Sequence, residues 1–155
     1  MVEHHTSNIL LKNIEKNGKY PLYDAKGIVG KSDFFMQEDY ITIIKFGGVG
    51  RLRILPKHTG FGATMTGLTS KNSDIYFIYY LLSSYFPVDS IANRTVVPNI
   101  YFKDYKHFEY FVPSIDEQQK IAKVFKNIDN LLNLYELKLQ KIEVIKKSLL
   151  DKMFV

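Results

Sequence analysis

Arg51, Arg53, Lys57 and His58 fall within eight residues, directly after the glycine run Gly47-Gly48-Val49-Gly50. Guanidinium groups make paired hydrogen bonds to phosphates and guanine edges, and ammonium groups neutralise phosphate as point charges. Lys26 and Lys31 flank a second glycine-containing segment, and Lys71 and Asn93-Arg94 follow. Asn matches the adenine edge, as Arg matches guanine. Lys26, Lys31, Arg51, Arg53, Lys57, His58, Lys71, Asn93 and Arg94 are therefore the candidate contacts to a polyanion. Each taken singly reads more readily as a solvated surface group; as a set, on a chain of net charge +5, they read equally well as a polyanion surface.

Catalytic patterns are missing. A carboxylate nuclease needs Glu-x-Lys beside an Asp, and Glu136-Leu137-Lys138 is the one such tripeptide, within a stretch that reads as an exposed helix face. A DNA methyltransferase needs a glycine-rich cofactor loop and an Asn/Asp-Pro-Pro-Tyr-like turn; Pro98-Asn99 runs the wrong way. The Gly47–Gly50 run precedes no helix and lacks a Lys-Ser/Thr pair, so it reads as a hairpin turn rather than a nucleotide cradle. His4, His5, His58 and His107 show no metal spacing, and there is no Cys for thiolate chemistry or disulfides. The expectation is no enzyme activity, no cofactor and no metal. No apolar run reaches the ~18 residues of a membrane span, and the N-terminus lacks a secretion pattern, which places the chain in the cytoplasm.

The candidate contacts must be positioned by a mixed α+β head. Tyr40–Phe46 is the best strand, rich in β-branched and aromatic residues. Arg51–Leu55 alternates basic with apolar, as a strand with one buried face does. Tyr20-Pro21-Leu22-Tyr23 reads as a short edge strand because proline tolerates edges. Val96–Ile100 and Phe108–Val112 are further strand candidates. Ser7–Lys16 reads as a short helix. Ile75–Leu82, capped by Ser73 or Asp74, reads as a helix apolar nearly all round and hence buried.

All 9 Gly and 5 Pro lie at or before Pro113. The chain therefore divides into a head, residues 1–112, and one long helix, residues 113–155. Ser114 and Glu117 have capping-box spacing, and Asp116 and Glu117 suit the positive end of a helix. Ile121, Ile128, Tyr135, Ile142 and Leu149 recur every seven residues; Phe125, Leu132, Leu139 and Met153 form the companion series, interrupted by Lys146. That is a heptad stripe, expected to pair with another helix as a coiled coil. Roughly 58 Å of helix at ~1.5 Å per residue exceeds the ~35 Å diameter of the head. Either the helix breaks, at the polar cluster Asn127, Asp129, Asn130, Asn133, or a second helix covers it.

Pro113-Ser114-Ile115-Asp116-Glu117-Gln118-Gln119-Lys120-Ile121-Ala122, followed by Ile128-Asp129 and by Lys146-Lys147-Ser148-Leu149-Leu150-Asp151-Lys152-Met153-Phe154, resembles the specificity subunits of type I restriction-modification systems. There a Pro-x-x-x-Glu-Gln-x-x-Ile-Ala segment enters the long helix and Leu-Leu-x-x-Met-Phe leaves it. Gly18–Tyr23 is similar to the entry of their target-recognition domains. The resemblance implies a non-catalytic reader of double-stranded DNA on which methyltransferase (modification) subunits dock, joined through them by a restriction/translocase subunit. Such subunits usually carry two recognition domains and two antiparallel helices; this chain has one of each. The expectation is a homodimer through antiparallel C-terminal helices that reads an interrupted palindrome. The competing reading is a coiled-coil interaction module without DNA binding; a small enzyme and an aromatic single-strand binder are more remote.

Overall fold

The computed structural model describes residues 2–10, 14, 18–93 and 96–154. Two sheets form the head. The larger is antiparallel, with strand order β1-β7-β4-β5: β1 is Val2–Thr6, β4 Tyr40–Ile44, β5 Leu52–Leu55 and β7 Met65–Ser70. The smaller has the order β3-β2-β6, with β2 Tyr20–Asp24, β3 Gly27–Ser32 and β6 Gly60–Phe61; β2 runs antiparallel to β3 and parallel to β6.

β4 is central and buried throughout because both its faces are covered. The period of two sends Ile41 and Ile43 to one side, where they join Leu68, Phe77, Ile78, Ile100 and Tyr105. It sends Tyr40 and Ile44 to the other, where they meet Leu55, Phe61 and Met65 against the smaller sheet. A Cβ on Gly67 would lie 2.8 Å from the Phe61 ring. Glycine there lets the two sheets close.

α1, Ile75–Tyr85, covers the first face. Its N-cap is Asp74, whose side chain accepts from the Phe77 N–H. Only Phe77 and Ile78 of this helix are buried, not the whole circumference expected from its apolar content. Its outer residues are capped partly by the long helix α4, Ile115–Met153. Two single turns, α2 (Val88–Ile91) and α3 (Phe102–Tyr105), lie between.

Several expectations need correction. β2 is the middle strand of its sheet rather than an edge. Pro21 is accommodated because it pairs with Lys31 of β3, while pairing to β6 begins only at Leu22. Val96–Ile100 makes only isolated bridges at Asn99, and Phe108–Val112 forms no strand. Neither segment has a neighbouring strand to supply its ladder bonds. The helix expected over Ser7–Lys16 falls largely outside the described residues, and residues 7–10 are not helical.

α4 does not break. Its 39 residues continue through Asn127, Asp129, Asn130 and Asn133, since exposed Asn and Asp cost a helix only ~0.7 kcal/mol each or less. The expected capping box is also absent: Ser114 is the N-cap, but its side chain makes no capping bond. Gln118 instead ties the entry segment to the first turn, its Nε2 donating to Pro113 O at 2.9 Å. Among the described residues no helix is long and apolar enough to cross a membrane.

Candidate nucleic-acid interface and rod surface

The β4–β5 connection is built by glycine. Gly47, Gly48 and Gly50 have φ of 72°, 128° and 77°, a region other residues enter only at a cost. The Arg51 guanidinium lies over Gly48, in the space a Cβ would take, and Nη2 donates to Gly47 O at 3.5 Å, a long bond. Arg51 is exposed. Arg53 is half-buried: opposite Thr42 on β4, it donates from Nη1 to Asp24 O at 3.3 Å. That bond ties the larger sheet to the end of β2, two residues before the exposed Lys26 at the β2–β3 turn. Lys26, Arg51 and Arg53 thus gather at one end of the head.

Asn93 joins this end indirectly. It exchanges backbone hydrogen bonds with Asn99 at 2.9 and 3.2 Å, and Asn99 bridges to Phe46, just before the glycine turn. Its side chain contacts Asn99 Oδ1 at 3.4 Å. Arg94 lies outside the described residues. The sequence reading missed Lys45, which sits here half-buried, its N–H donating to Thr64 O at 2.8 Å. Burial lowers the pKa of its ammonium.

Lys57 and His58 occupy the other end of β5. His58 has φ 61°, an uncommon conformation for a residue with a side chain. Its ring faces Tyr20 and Phe35 at centroid distances of 6.0 and 5.8 Å. Lys31 pairs with Pro21, next to Tyr20, which brings its backbone, though not the same face, near Lys57 and His58. Lys71 belongs to neither. It stands at the end of β7 and bonds Glu3 at 2.9 Å, which raises its own pKa and lowers that of the carboxylate. His4 and His5 are sheet residues: His5 Nε2 meets Thr69 Oγ1 at 2.8 Å, and His4 stacks on Phe102. Among the described residues no group of three or more His, Asp or Glu is placed to hold a metal.

The rod surface divides in two. Near its start Gln118 and Ala122 are buried and Ile121 packs against the core of the head. Phe125 lies 5.0 Å from the Tyr80 ring, and the Tyr80 hydroxyl donates to Asp129 at 2.6 Å. Beyond this the helix leaves the head. Ile128, Leu132, Tyr135, Leu139, Ile142, Leu149 and Met153 are 45, 56, 66, 57, 61, 54 and 72% exposed. At ~1.5–3 kcal/mol for burying each such side chain, the stripe is a strong driving force for association.

The polar anchors of the rod were not read from the sequence. Gln118, Asp129 and Lys126 look like surface residues in a charged helix, and their partners Asp74, Tyr80 and Tyr76 lie more than forty positions away. The one local signal was Asp74 as a helix cap.

Comparison with known proteins places these features in context. Residues 1–144 match the family described as type I restriction modification DNA specificity domain. Two similar proteins come from Methanocaldococcus jannaschii. The type I restriction enzyme MjaVIII specificity subunit is 26% identical over 153 residues, covering 90% of this chain and 36% of its own length. The putative type I restriction enzyme MjaX specificity subunit is 29% identical over 106 residues, covering 66% of this chain and 25% of its own length. The crystal structure of a type I restriction-modification S subunit from M. genitalium superposes with a TM-score of 0.71 at 28% identity, covering 88% of this chain and 39% of that one. A second chain, from a structural study of complex assembly and conformational transition of the type I system, gives 0.72 at 15% identity over 96% of this chain and 41% of that one, a likeness of fold alone. The chain thus spans between a quarter and about two fifths of the length of these proteins.

Proposed function

This chain belongs to the type I restriction-modification DNA specificity domain family, and from that premise we propose that it is a non-catalytic subunit for sequence-specific recognition of double-stranded DNA. Residues 1–112 form the reading head and residues 113–155 the rod. Arg51, on its glycine turn, is the leading candidate for base or phosphate contact, with Lys26, Arg53 and Asn93 beside it. Lys31, Lys57 and His58 supply a second contact edge, and Arg94 belongs to the same candidate set. Lys71, held by Glu3, is a peripheral contact.

The observation that carries the reading is the uncovered heptad stripe on a rod that rises from a basic head. A second copy, antiparallel, closes that stripe as a coiled coil by two-fold symmetry, with Leu132 and Tyr135 near the dyad. The two heads then sit toward opposite ends of a rod of roughly 58 Å. Successive major-groove faces are ~34 Å apart, so the target is an interrupted palindrome with half-sites one to two turns apart. The homodimer docks methyltransferase subunits in the cytoplasm and, through them, the restriction/translocase subunit.

The test is binding to random-sequence duplex at ~50 and ~200 mM salt, where several phosphate contacts lose at least tenfold in affinity. Absent or salt-independent binding would favour the rival reading, an interaction module that does not bind DNA.

A further inference from the structure

Asp39, just before β4, uses both carboxylate oxygens. Oδ1 accepts from the backbone N–H of Lys57 at 2.9 Å. Oδ2 accepts from the Tyr76 hydroxyl of α1 at 2.9 Å. Lys126 of α4 lies with Nζ 3.6 Å from the centroid of the same Tyr76 ring. A continuous set of contacts therefore runs from the turn carrying Lys57 and His58, through one carboxylate and one phenol, to the rod.

The turn at the far end is itself firmly held. His58 N–H donates to Met36 O at 2.8 Å, and Met36 N–H donates to Thr59 O at 2.9 Å. Thr59 Oγ1 donates to Pro56 O at 2.6 Å, and the Tyr40 hydroxyl contacts Thr59. These bonds keep His58 in its left-handed conformation and leave both Lys57 and His58 exposed. Uncommon backbone conformations held by many surrounding contacts gather at ligand-facing positions. A turn that is rigid within itself moves as a body, and Asp39 is the hydrogen-bonded link from that body to α1, beside the packing of β5 and β4 against the same helix.

We propose that Asp39 is a positioning residue: through Tyr76 it locks the Lys57–His58 turn to the rod, so that the distance and angle between this contact edge and the rod are fixed. The proposal rests on the DNA-reading function above and adds to it the source of half-site spacing. In a two-fold dimer any slack between turn and rod is doubled. One base pair of spacer moves a half-site by about 3.4 Å and turns it by about 35°, so slack on that scale blurs the preferred spacing.

The experiment starts from duplexes selected by the full-length wild-type chain. The enriched half-sites are then rebuilt with spacers differing by single base pairs. Wild type is expected to prefer one spacer by about tenfold over its neighbours. Tyr76→Phe removes only the hydroxyl and keeps the ring against Lys126. It is expected to reduce that preference to about threefold or less, with the half-site sequence unchanged. An unaltered spacer preference, or an equal loss of affinity at every spacer, overturns the proposal; the second result would mark an ordinary structural bond. A wild-type chain that enriches no spaced target overturns the function reading itself and is read before any variant.

Amide exchange at Lys57 gives a measurement independent of DNA. Lys126→Met, a change confined to the rod, and Tyr76→Phe are each expected to speed exchange of the Lys57 N–H by about fivefold. Unchanged exchange in both overturns the coupling.

Discussion

Gln118 accepts a hydrogen bond from the backbone N–H of Asp74 at 3.0 Å, and the other end of the same amide donates to Pro113 O at 2.9 Å. One side chain, 2% exposed, therefore joins the start of α1 to the start of α4. It fixes the direction in which the rod leaves the head. A carboxylate could accept from Asp74 but could not donate to Pro113, and an alanine could do neither.

Gln118→Ala should therefore destabilise the head by ~2–3 kcal/mol, since two backbone groups lose their partner inside the fold. Gln118→Glu should cost less at acid pH, where the protonated side chain can again donate, than at neutral pH. Urea unfolding at both pH values measures this. Equal stability of wild type and Gln118→Ala would refute the anchoring role.

The alkaline limb of stability should be steep. Burial, opposed in part by Thr59, pushes the Tyr40 phenol up to about 12, and burial does the same for Tyr105. The Tyr105 hydroxyl is buried beside Thr66, which opposes part of that rise. Tyr76 also rises to about 12, through burial and then its bond to Asp39. Unfolded phenols ionise near 10, so between pH 10 and 12 the folded state binds more protons than the unfolded one. Stability is complete below pH 10 and falls as pH rises toward 12, by up to ~1.4 kcal/mol per pH unit for each of Tyr40 and Tyr105, and by less for Tyr76, whose interactions are screened by solvent. Tyr105→Phe should remove one proton from that slope, as denaturant midpoints at pH 9 to 11 would reveal.

The rod should govern association without governing the fold. Leu132→Asp with Leu139→Asp places two charges in the exposed stripe, beyond the packed segment that ends at Asp129. At tens of micromolar, light scattering should find wild type as a dimer and this variant as a monomer with an unchanged far-ultraviolet spectrum. A monomeric wild type would refute the pairing.

Arg51 and Lys71 provide a paired comparison in DNA binding. Arg51 is exposed on the glycine turn, whereas the Lys71 charge is matched by Glu3. Arg51→Ala should lose about 1–3 kcal/mol of specific binding, and Lys71→Ala well under 1 kcal/mol. Titrations on one selected duplex at constant salt measure both. The reverse order would move the interface to the β1–β7 edge.

What the sequence disclosed follows from how local each signal is. The rod was legible because heptad spacing and the absence of Gly and Pro are carried by consecutive residues. β4 was legible because five consecutive residues suit a strand buried on both faces. β7 was not, since Met65–Ser70 is rich in Thr, Ser and Gly and reads as a loop; Thr66 and Thr69 are 1 and 3% exposed only because β1 and β4 flank them. Pro21 suggested an edge because its one-sided pairing depends on where β6 begins. At the candidate interface, the glycine turn and its basic residues were visible as neighbours in sequence. Their division between two ends of β5, and the capture of Lys71 by Glu3, arise from pairings across the sheet.

The central claim is that two basic heads, spaced by paired rods, read one divided DNA target. Selection of bound duplexes from a random library by the full-length chain tests it most directly. The account predicts an enriched inverted repeat with a spacer of fixed length, one to two helical turns between half-site centres. A single undivided site, or no enrichment above random duplex, would contradict it.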